Sequence, residues 1–205
     1  MVVEVPNRRS KRSLRTREAI LDAAGKVLAE HGYEATSLDL IAAEAGVTKA
    51  TIYYHFDAKE SIYAAVVLRY LQRAFDSLNA AVDRYASSGE ALEAVIDDQI
   101  EDTLSPSMRY VHYQEKLRLG DSTHKAVRAA QRQYEYRLAE IIADAQQAGQ
   151  VMAGDPHILA MVVIGTIGRT ARWYRSTGRT AESEFRRMLR EFVLHGLRPA
   201  GVPPR

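Results

Sequence analysis

The sequence predicts an all-α fold of nine helices. Apolar residues recur at steps of three and four through most of the chain, which is typical of helices that bury one face. The alternating pattern of strands is nearly absent, and capping residues or glycines stand where the periodic segments begin and end. With 205 residues, 46% of them hydrophobic, the chain is long enough to bury a full core.

The N-terminal part is expected to form three helices, two of them short. Gly32 stops the first helix, and Gly46 ends the second. Thr36 with Asp39 three residues later forms a capping-box-like start for the second helix. Thr48 is the N-cap residue expected for the third. The predicted bounds are 14–30, 37–45 and 48–55.

Six longer periodic segments follow, and each has a polar residue at its expected start. Pro156 after Asp155 is a typical first-turn proline. The expected starting residues are Asp57, Ser87, Ser105, Asp121 or Ser122, Asp155 and Thr180. The predicted bounds are 57–86, 87–104, 105–119, 121–149, 155–176 and 180–196.

Positive charge is concentrated near the N-terminus, although the formal net charge is only +2. Residues 8–17 contain six Lys or Arg residues and no acid, whereas residues 76–102 contain eight Asp or Glu residues and one Arg. Such a basic segment is typical of chains that contact an anionic partner, and a solvated tail is the alternative. Arg8, Arg9 and Arg12 are the arm residues that we expect to contact this anionic partner.

Several functional classes find no support. Cysteine is absent, which excludes disulfides, cysteine-zinc sites and thiol catalysis. No run of about 18 uncharged apolar residues indicates a membrane span, and the N-terminus lacks the pattern of a signal peptide. We therefore expect a cytoplasmic protein without membrane contact.

Enzymatic motifs are also missing. The six histidines form no HExxH pair, and GxSxG, P-loop and GxGxxG motifs are absent. In the stretch IDDQIED, Asp98 and Asp102 lie four residues apart on one helix face, a spacing that can hold a divalent cation. Without a histidine or a second carboxylate helix, a solvated acidic face is the preferred interpretation. No catalytic residue, metal ligand or cofactor is predicted.

The stretch VTKATIYYHF, residues 47–56, is rich in polar and aromatic side chains for a short helix. Only Gly46 and Val47 separate the predicted third helix from the second, which is the spacing of a helix-turn-helix unit. The second helix of such a unit enters the major groove of DNA. Helical geometry turns Ile52 and Phe56 inward and leaves the remaining side chains outward or at the rim. These are Lys49, Ala50, Thr51, Tyr53, Tyr54 and His55.

The outward side chains match common modes of DNA contact. Lys49 can reach guanine acceptors or phosphate, and Ala50 can touch a thymine methyl group. Tyr53 and Tyr54 can bond to phosphate or pack on sugar. Two alternatives stay open: Tyr53 packs on the first helix, or His55 is a structural or phosphate-side hydrogen-bonding group.

The segment REAILDAAGKVLAEHGYEATSLDLIAAEAGVTKATIYYHFDAKE, residues 17–60, closely resembles the DNA-binding domain of TetR-family transcriptional regulators. The motifs that carry the resemblance are AA, GY, IA, AGV and YxHF followed by Lys. By matching positions, the resemblance implies that Thr36 and Lys59 contact phosphate. It implies further that Lys49, Ala50, Thr51 and Tyr53 face the bases, and that Tyr54 and His55 lie at the groove edge or the DNA backbone.

The resemblance also implies the remaining architecture. It divides the chain into a DNA-binding domain with a basic arm, residues 1–57, and a ligand-binding and dimerisation domain, residues 58–205. The implied partners are double-stranded operator DNA, a small-molecule effector and a second copy of the chain, bound through the last two helices. The implied function is a repressor that an effector releases from a pseudo-palindromic operator, with activation as an open alternative.

The eighth predicted helix ends in an unusual mixture of residues. Gly165, Gly168 and Ala171 lie three apart, which either admits a close helix neighbour or leaves space for a ligand. The following RWYR segment places arginines beside aromatic rings. These side chains can hold an anionic ligand, or they can form interface ion pairs with acids such as Glu182 and Glu184.

RWYR and its glycine turn resemble the TetR-family branch that controls fatty-acid, steroid or aromatic-acid catabolism and responds to coenzyme A thioesters. The resemblance implies an acyl-CoA effector. The candidate effector contacts are Tyr110, Tyr113, Leu117, Tyr134, Arg169, Arg172, Trp173 and Arg175. Ordinary core aromatics are the alternative for the tyrosines. The alternative functions are a non-catalytic helical interaction protein and a regulator that senses a hydrophobic, drug-like or other non-CoA ligand.

Overall fold

The structure, a computed structural model, describes residues 8–105 and 121–199, with side chains from 12 to 105 and from 123 to 199. All regular structure in these ranges is helical, which confirms the predicted class. The predicted sixth helix, 105–119, falls almost entirely outside the described residues. The described helices are α1 Arg8–Ala35, α2 Leu38–Ala45, α3 Lys49–His55, α4 Lys59–Arg84, α5 Ser88–Leu104, α6 Asp121–Gln147, α7 Pro156–Trp173 and α8 Glu182–Gly196. None of them combines the length and the apolar character needed to cross a membrane.

Helix starts were partly predicted. Ser87 and Asp155 cap α5 and α7 as expected, because their side-chain oxygens accept the backbone N–H groups of the first turn. Three predicted starts are wrong by one residue: Ser37, Ala58 and Ala181 take the N-cap positions in place of Thr36, Asp57 and Thr180. α7 ends three residues early, since Tyr174 adopts an extended backbone conformation.

The basic segment forms the beginning of α1, which starts at Arg8, six residues before the predicted start. The first turn of α1 contains no acidic residue. Near the other end Gly32 leaves the helical conformation with φ 76° and ψ 169°, and the helix resumes only as far as Ala35. A residue with a side chain rarely adopts this positive φ, so the predicted helix break at Gly32 is confirmed.

A small core joins the three N-terminal helices to α4. Ile20 and Ala24 of α1, Ile41 of α2, Ile52 of α3 and Ile62 of α4 are at most 1% exposed and belong to one cluster. α3 is therefore held by one buried face. Truncating a residue such as Ile52 to Ala costs roughly 2 to 5 kcal/mol of folding free energy.

A second, larger core is formed by the five helices α4, α5, α6, α7 and α8. Ile96 of α5, Leu138 and Ile142 of α6 and Ile167 of α7 are fully buried in it, and Leu189 brings α8 against the same cluster. The five helices therefore form one packed bundle.

α4 connects the two cores. Ile62 belongs to the N-terminal core and Leu78 to the larger one. Between them Tyr63 of α4 packs with Leu28 of α1 and Val127 of α6 in a third cluster, which we call the junction cluster. α1 and α6 thus pack against the same turns of α4.

Three of the eight acids in the acidic segment, all on α5, form ion pairs with arginines of α8. Arg190 donates to Asp97 at 2.7 Å and to Glu93 at 2.9 Å, and Arg186 pairs with Glu101. The side chains of Asp97 and Glu101 are 46% and 68% exposed, as a solvated acidic face requires, although arginines of α8 pair with both. These pairs fix α8 against α5.

Candidate DNA-binding surface and effector site

The turn between α2 and α3 is a tight glycine turn. Gly46 adopts φ 64° and ψ 33°, a left-handed conformation that glycine allows at little cost. The N–H of Val47 donates to the carbonyl of Ala42 at 3.0 Å. The Thr48 hydroxyl accepts the N–H of Thr51 at 3.1 Å, which confirms Thr48 as the N-cap of α3. The predicted helix-turn-helix unit is present.

α3 has one buried face and one exposed face. Ile52 and Phe56 are 0% and 6% exposed, as predicted from helical spacing. Tyr53 and Tyr54 are 54% and 79% exposed, so the alternative that Tyr53 packs on α1 as a core residue is wrong. The exposed face also includes Lys49 and Ala50, with Thr51 and His55 half-buried at its edge. His55 contacts the Tyr54 ring edge to face, with 5.0 Å between ring centroids.

Lys49 is paired with an acid of α2. Its Nζ donates to Oδ2 of Asp39 at 2.9 Å, and this hydrogen bond, followed by the charge of Asp39, raises the pKa of Lys49. Both side chains are exposed. Sequence reasoning placed Asp39 in a capping box only. That capping box does not form, because Ser37 is the N-cap of α2 and its hydroxyl accepts the N–H of Leu40; the carboxylate of Asp39 pairs with Lys49 instead.

Thr36 and Lys59, the two predicted phosphate contacts, have structural partners. Thr36 is 3% exposed, and its hydroxyl donates to the carbonyl of Gly32 at 2.6 Å. Nζ of Lys59 donates to the carbonyls of Tyr33 at 3.0 Å and Thr36 at 3.1 Å. Burial argues against a side-chain contact of Thr36 with DNA. The ammonium of Lys59 stabilises the end of α1 in this conformation.

The arm residues are helical. Arg12 is exposed on α1, while the side chains of Arg8 and Arg9 lie outside the described residues. Arg17, at the end of the basic segment, lies over the ring of Phe56 at 5.0 Å and thereby connects the arm to the end of α3.

One predicted effector contact, Tyr134, lines a small cavity between α4, α5 and α6. The cavity holds about 10 Å³, the space of one water molecule. Oε1 of Gln99 is buried in this region without a hydrogen-bond partner among the described residues. Its other polar walls are Tyr70, Ser77, Asp98 and Asp102. Tyr110, Tyr113 and Leu117 lie outside the described residues.

Burial dominates the electrostatics of this cavity. It raises the pKa of Tyr134 and of Tyr70, and it raises the pKa of the Asp102 carboxyl, with the Asp98 charge as the second cause. Asp98 accepts a hydrogen bond from Ser77 at 2.5 Å. Asp102 is half-buried, so the solvated-face interpretation is wrong for this carboxylate, whereas Asp98 is exposed. The described residues hold no group of three or more side chains suited to a metal ion.

The RWYR residues lie elsewhere. Arg169, Arg172, Trp173 and Arg175 are exposed at the end of α7, and none of them is among the walls that the described residues give the cavity around Tyr134. Trp173 contacts Phe185 of α8 edge to face at 5.4 Å, while the buried Tyr174 stacks on the same ring at 4.0 Å. Glu182, the acid expected near these arginines, accepts hydrogen bonds from Arg186.

An apolar surface covers the outer sides of α7 and α8. Val162, Met188 and Phe192 line an open groove of about 830 Å³ there. Gly165 lies on the same exposed side of α7, and no atom of the described residues lies within 4 Å of the position that its Cβ would take. Close packing within one chain is therefore not the role of Gly165. We call this region the α7–α8 surface; its exposed members are Ile158, Met161, Val162, Gly165, Met188 and Phe192.

Two family descriptions match the chain. "Bacterial regulatory proteins, tetR family" matches residues 20–66, and "Tetracyclin repressor-like, C-terminal domain" matches residues 85–197. The second match covers more than half of the 205 residues.

Curated relatives are transcription regulators. The chain is 33% identical over 93 residues to the HTH-type transcriptional activator FasR of Mycolicibacterium smegmatis, across 44% of this chain and 42% of FasR. It is 43% identical over 63 residues to the biofilm operon icaADBC negative regulator IcaR of Staphylococcus aureus, across 31% of this chain and 32% of IcaR. These alignments span less than half of either relative.

Solved structures share the fold over nearly the whole length. A TetR/AcrR-family regulator from Thermobifida fusca matches with a TM-score of 0.75 and 27% identity, across 90% of this chain and 99% of the other. AibR in complex with isovaleryl coenzyme A and operator DNA matches with a TM-score of 0.71 and 24% identity, across 86% and 97%. At that identity AibR shows the fold alone. With the helix-turn-helix geometry and both family matches, the chain belongs to the TetR family of bacterial transcription regulators.

Proposed function

We propose that the protein is a homodimeric repressor that binds a pseudo-palindromic double-stranded operator through α3 and leaves it when a small-molecule effector binds. The observation that carries the proposal is the two-sided character of α3. Ile52 is fully buried, whereas the adjacent Tyr53 and Tyr54 are more than half exposed beside Lys49. The exposed face offers the hydrogen-bond donors, ring and methyl group that contact bases and phosphates in a major groove.

The basic arm supports the same proposal. Arg8, Arg9 and Arg12 lie at the N-terminus of α1, where the helix dipole is positive and no acid balances it. Cations are unfavourable there unless an anion approaches. DNA phosphate supplies that anion, and residues 1–57 then act together as the DNA-binding part.

A second copy of the chain fits the α7–α8 surface. A two-fold axis brings the same patch of both copies together, so that Phe192 and Met188 are covered by their equivalents. Gly165 leaves room for close approach of the partner helix. Such a dimer presents two copies of α3, which must lie roughly 34 to 36 Å apart to enter successive major grooves.

Effector binding is proposed at the cavity around Tyr134 and Tyr70, within residues 58–205. Because this cavity holds about one water molecule, a larger ligand must separate α4 from α5 and α6. The junction cluster passes the displacement of α4 to α1, which changes the separation of the two α3 helices. A coupling free energy of about 1 to 3 kcal/mol changes operator affinity by roughly 5- to 150-fold.

An acyl-CoA thioester is the proposed effector class. Its support is that Arg169, Arg172 and Arg175 are exposed near the exposed Trp173 in the sequence. Guanidinium groups can bind phosphates, and the indole ring can stack on a flat ring. Arg175 now donates to the carbonyls of Arg172 and Tyr174 and must turn away from them to bind a ligand. In this arrangement the arginines hold the nucleotide end outside the cavity while the acyl chain enters the bundle.

Fluorescence anisotropy on labelled DNA from upstream of the gene tests DNA binding. We expect tight, salt-sensitive binding by wild type and a loss of at least tenfold in the combined Lys49→Ala, Tyr53→Ala variant. Tyr136→Ala is the matched control, since Tyr136 is 59% exposed on α6 and outside the DNA-binding part. Unchanged affinity of the double variant contradicts the assignment of α3, and absent binding at low salt favours the interaction-protein alternative.

A titration of the bound complex with CoA thioesters and free CoA tests the effector. Release by one thioester and not by free CoA supports the class, and a weaker response of Arg172→Ala supports the arginine group. Binding that no thioester disturbs rejects this effector class. A promoter-reporter assay tests the sense of regulation: IcaR is a negative regulator and FasR an activator, and loss of expression on gene deletion would contradict repression.

A further inference from the structure

An ion pair joins the two helices of the helix-turn-helix unit at their N-terminal ends. Asp39 lies in the first turn of α2, and Lys49 is the first residue of α3. Nζ of Lys49 lies 2.9 Å from Oδ2 of Asp39, with the side chains 46% and 69% exposed. The pair therefore sits at the surface, where both the carboxylate and the ammonium remain accessible to a ligand.

A carboxylate is an unexpected neighbour on a surface that binds a polyanion. Its charge repels phosphate, and it occupies the first turn of α2, where the helix dipole would otherwise favour an approaching phosphate. It also takes the ammonium group that we place at the DNA. Non-operator DNA therefore meets a paired lysine, which contributes little local positive charge.

We infer that Asp39 is a specificity-determining, positioning residue that holds Lys49 away from phosphate and leaves it available to the bases of the correct operator. This inference rests on the proposed binding of operator DNA through α3. Guanine O6 and N7 are the acceptors that a lysine reads in the major groove. When they lie in the correct place they replace the carboxylate or share the ammonium with it. In random DNA these acceptors are not in the correct place, so the main acceptor for Lys49 is phosphate. To reach phosphate, Lys49 must first break its ion pair with Asp39.

We expect the substitution Asp39→Asn to change the affinity for random DNA and the affinity for the operator by different factors. Asp39→Asn frees Lys49 for phosphate, so binding to random DNA should tighten. Each phosphate contact adds about 0.9 to the slope of log K against log salt concentration, which corresponds to roughly a threefold change in affinity between 50 and 200 mM salt. Operator affinity should change less, because Lys49 is already engaged there. The ratio of operator to random-DNA affinity should fall at least about threefold.

Lys26 and Glu44 provide the matched control. Their Nζ and Oε1 atoms lie 3.0 Å apart, they join α1 to α2, and both side chains are exposed. Glu44→Gln removes the same charge from the same helix without touching α3. It should alter both affinities by similar factors and leave their ratio within about twofold of wild type.

The experiment is an anisotropy titration of full-length wild type, Asp39→Asn, Glu44→Gln and the Asp39→Asn, Lys49→Met double variant on operator and random duplexes at four salt concentrations. The inference is supported if Asp39→Asn alone lowers the ratio of operator to random-DNA affinity and steepens the dependence of log K on log salt concentration for random DNA. In the double variant this salt dependence should return to the wild-type value. If Asp39→Asn behaves like Glu44→Gln, Asp39 acts only by its charge and the inference is overturned. If wild type binds neither duplex at low salt, the proposed function itself fails.

Discussion

The ammonium group of Lys59 lies 3.0 Å from the carbonyl oxygen of Tyr33 and 4.3 Å from the centre of the Tyr33 ring. Lys59 is the first residue of α4, and Tyr33 follows the break at Gly32 near the end of α1. A second hydrogen bond, to the carbonyl of Thr36, ties the same lysine to the chain entering α2. One side chain of α4 therefore holds the end of α1 and the chain entering α2.

Replacing Lys59 by Met should lower stability. The variant loses two charge-assisted hydrogen bonds, an expected cost of about 1 to 3 kcal/mol. The carbonyl of Thr36 loses the ammonium donor, whereas the carbonyl of Tyr33 still accepts the N–H of Thr36 at 3.3 Å. The free energy of unfolding in urea measures this loss. Lys26→Met is the control, because Lys26 makes only an exposed ion pair and should change stability little. If Lys59→Met were as stable as wild type, Lys59 would have no structural role, and the phosphate contact predicted from the sequence would be favoured.

Two glycines should respond oppositely to alanine. Gly46→Ala places a side chain at φ 64° and should destabilise the protein by roughly 1 kcal/mol. Gly25→Ala lies within α1 with no atom within 4 Å of the added Cβ, and should stabilise by about 0.5 to 1 kcal/mol. Urea titrations of both variants under identical conditions provide the comparison. A stabilising Gly46→Ala would contradict the left-handed turn.

Phe192 should control assembly. It is 69% exposed on α8, and Phe192→Asp places a charge in the centre of the proposed dimer contact. We expect sedimentation or light scattering to give a dimer for wild type and a monomer for the variant. Leu40→Asp, at a 40% exposed position on α2, should remain dimeric. If Phe192→Asp remained a dimer, the proposal that the dimer interface lies on the α7–α8 surface would be contradicted.

The Asp102 carboxyl should reduce stability at neutral pH. Its pKa is raised in the folded protein, chiefly by burial, so the folded state binds a proton more tightly than the unfolded state. Its contribution to stability is therefore present at low pH and is lost as pH rises through the folded pKa. Asp102→Asn should be more stable than wild type at pH 7, with the difference shrinking toward pH 4.

Urea titrations of wild type and Asp102→Asn across this pH range measure that difference. The exposed Asp83 provides the control, since Asp83→Asn removes a carboxylate at the surface and should change the free energy of unfolding little at pH 7. A wild-type advantage at pH 7 would mean that the carboxylate is stabilised in the fold, and would reverse the sign of the prediction.

The sequence by itself determined the local features: the all-α class, the N-caps at Thr48, Ser87 and Asp155, the left-handed turn at Gly46, and the two faces of α3. Each depends on residues within about one helical turn, so spacing and capping chemistry suffice to find it. The TetR-like motifs lie in the same local segment, which is why family membership was also predictable.

The tertiary structure alone decided which distant groups meet. Lys49 finds Asp39 ten residues away, Lys59 finds Tyr33 at a separation of 26, and Arg190 finds Asp97 at a separation of 93. Gln99 and Tyr70 carried no sequence signal for the cavity, because its walls come from three helices. The spacing of residues along a helix predicts which face of the helix a residue occupies. It does not predict which other helix packs against that face. Pairing, burial and the shifts of pKa that follow from them depend on that covering.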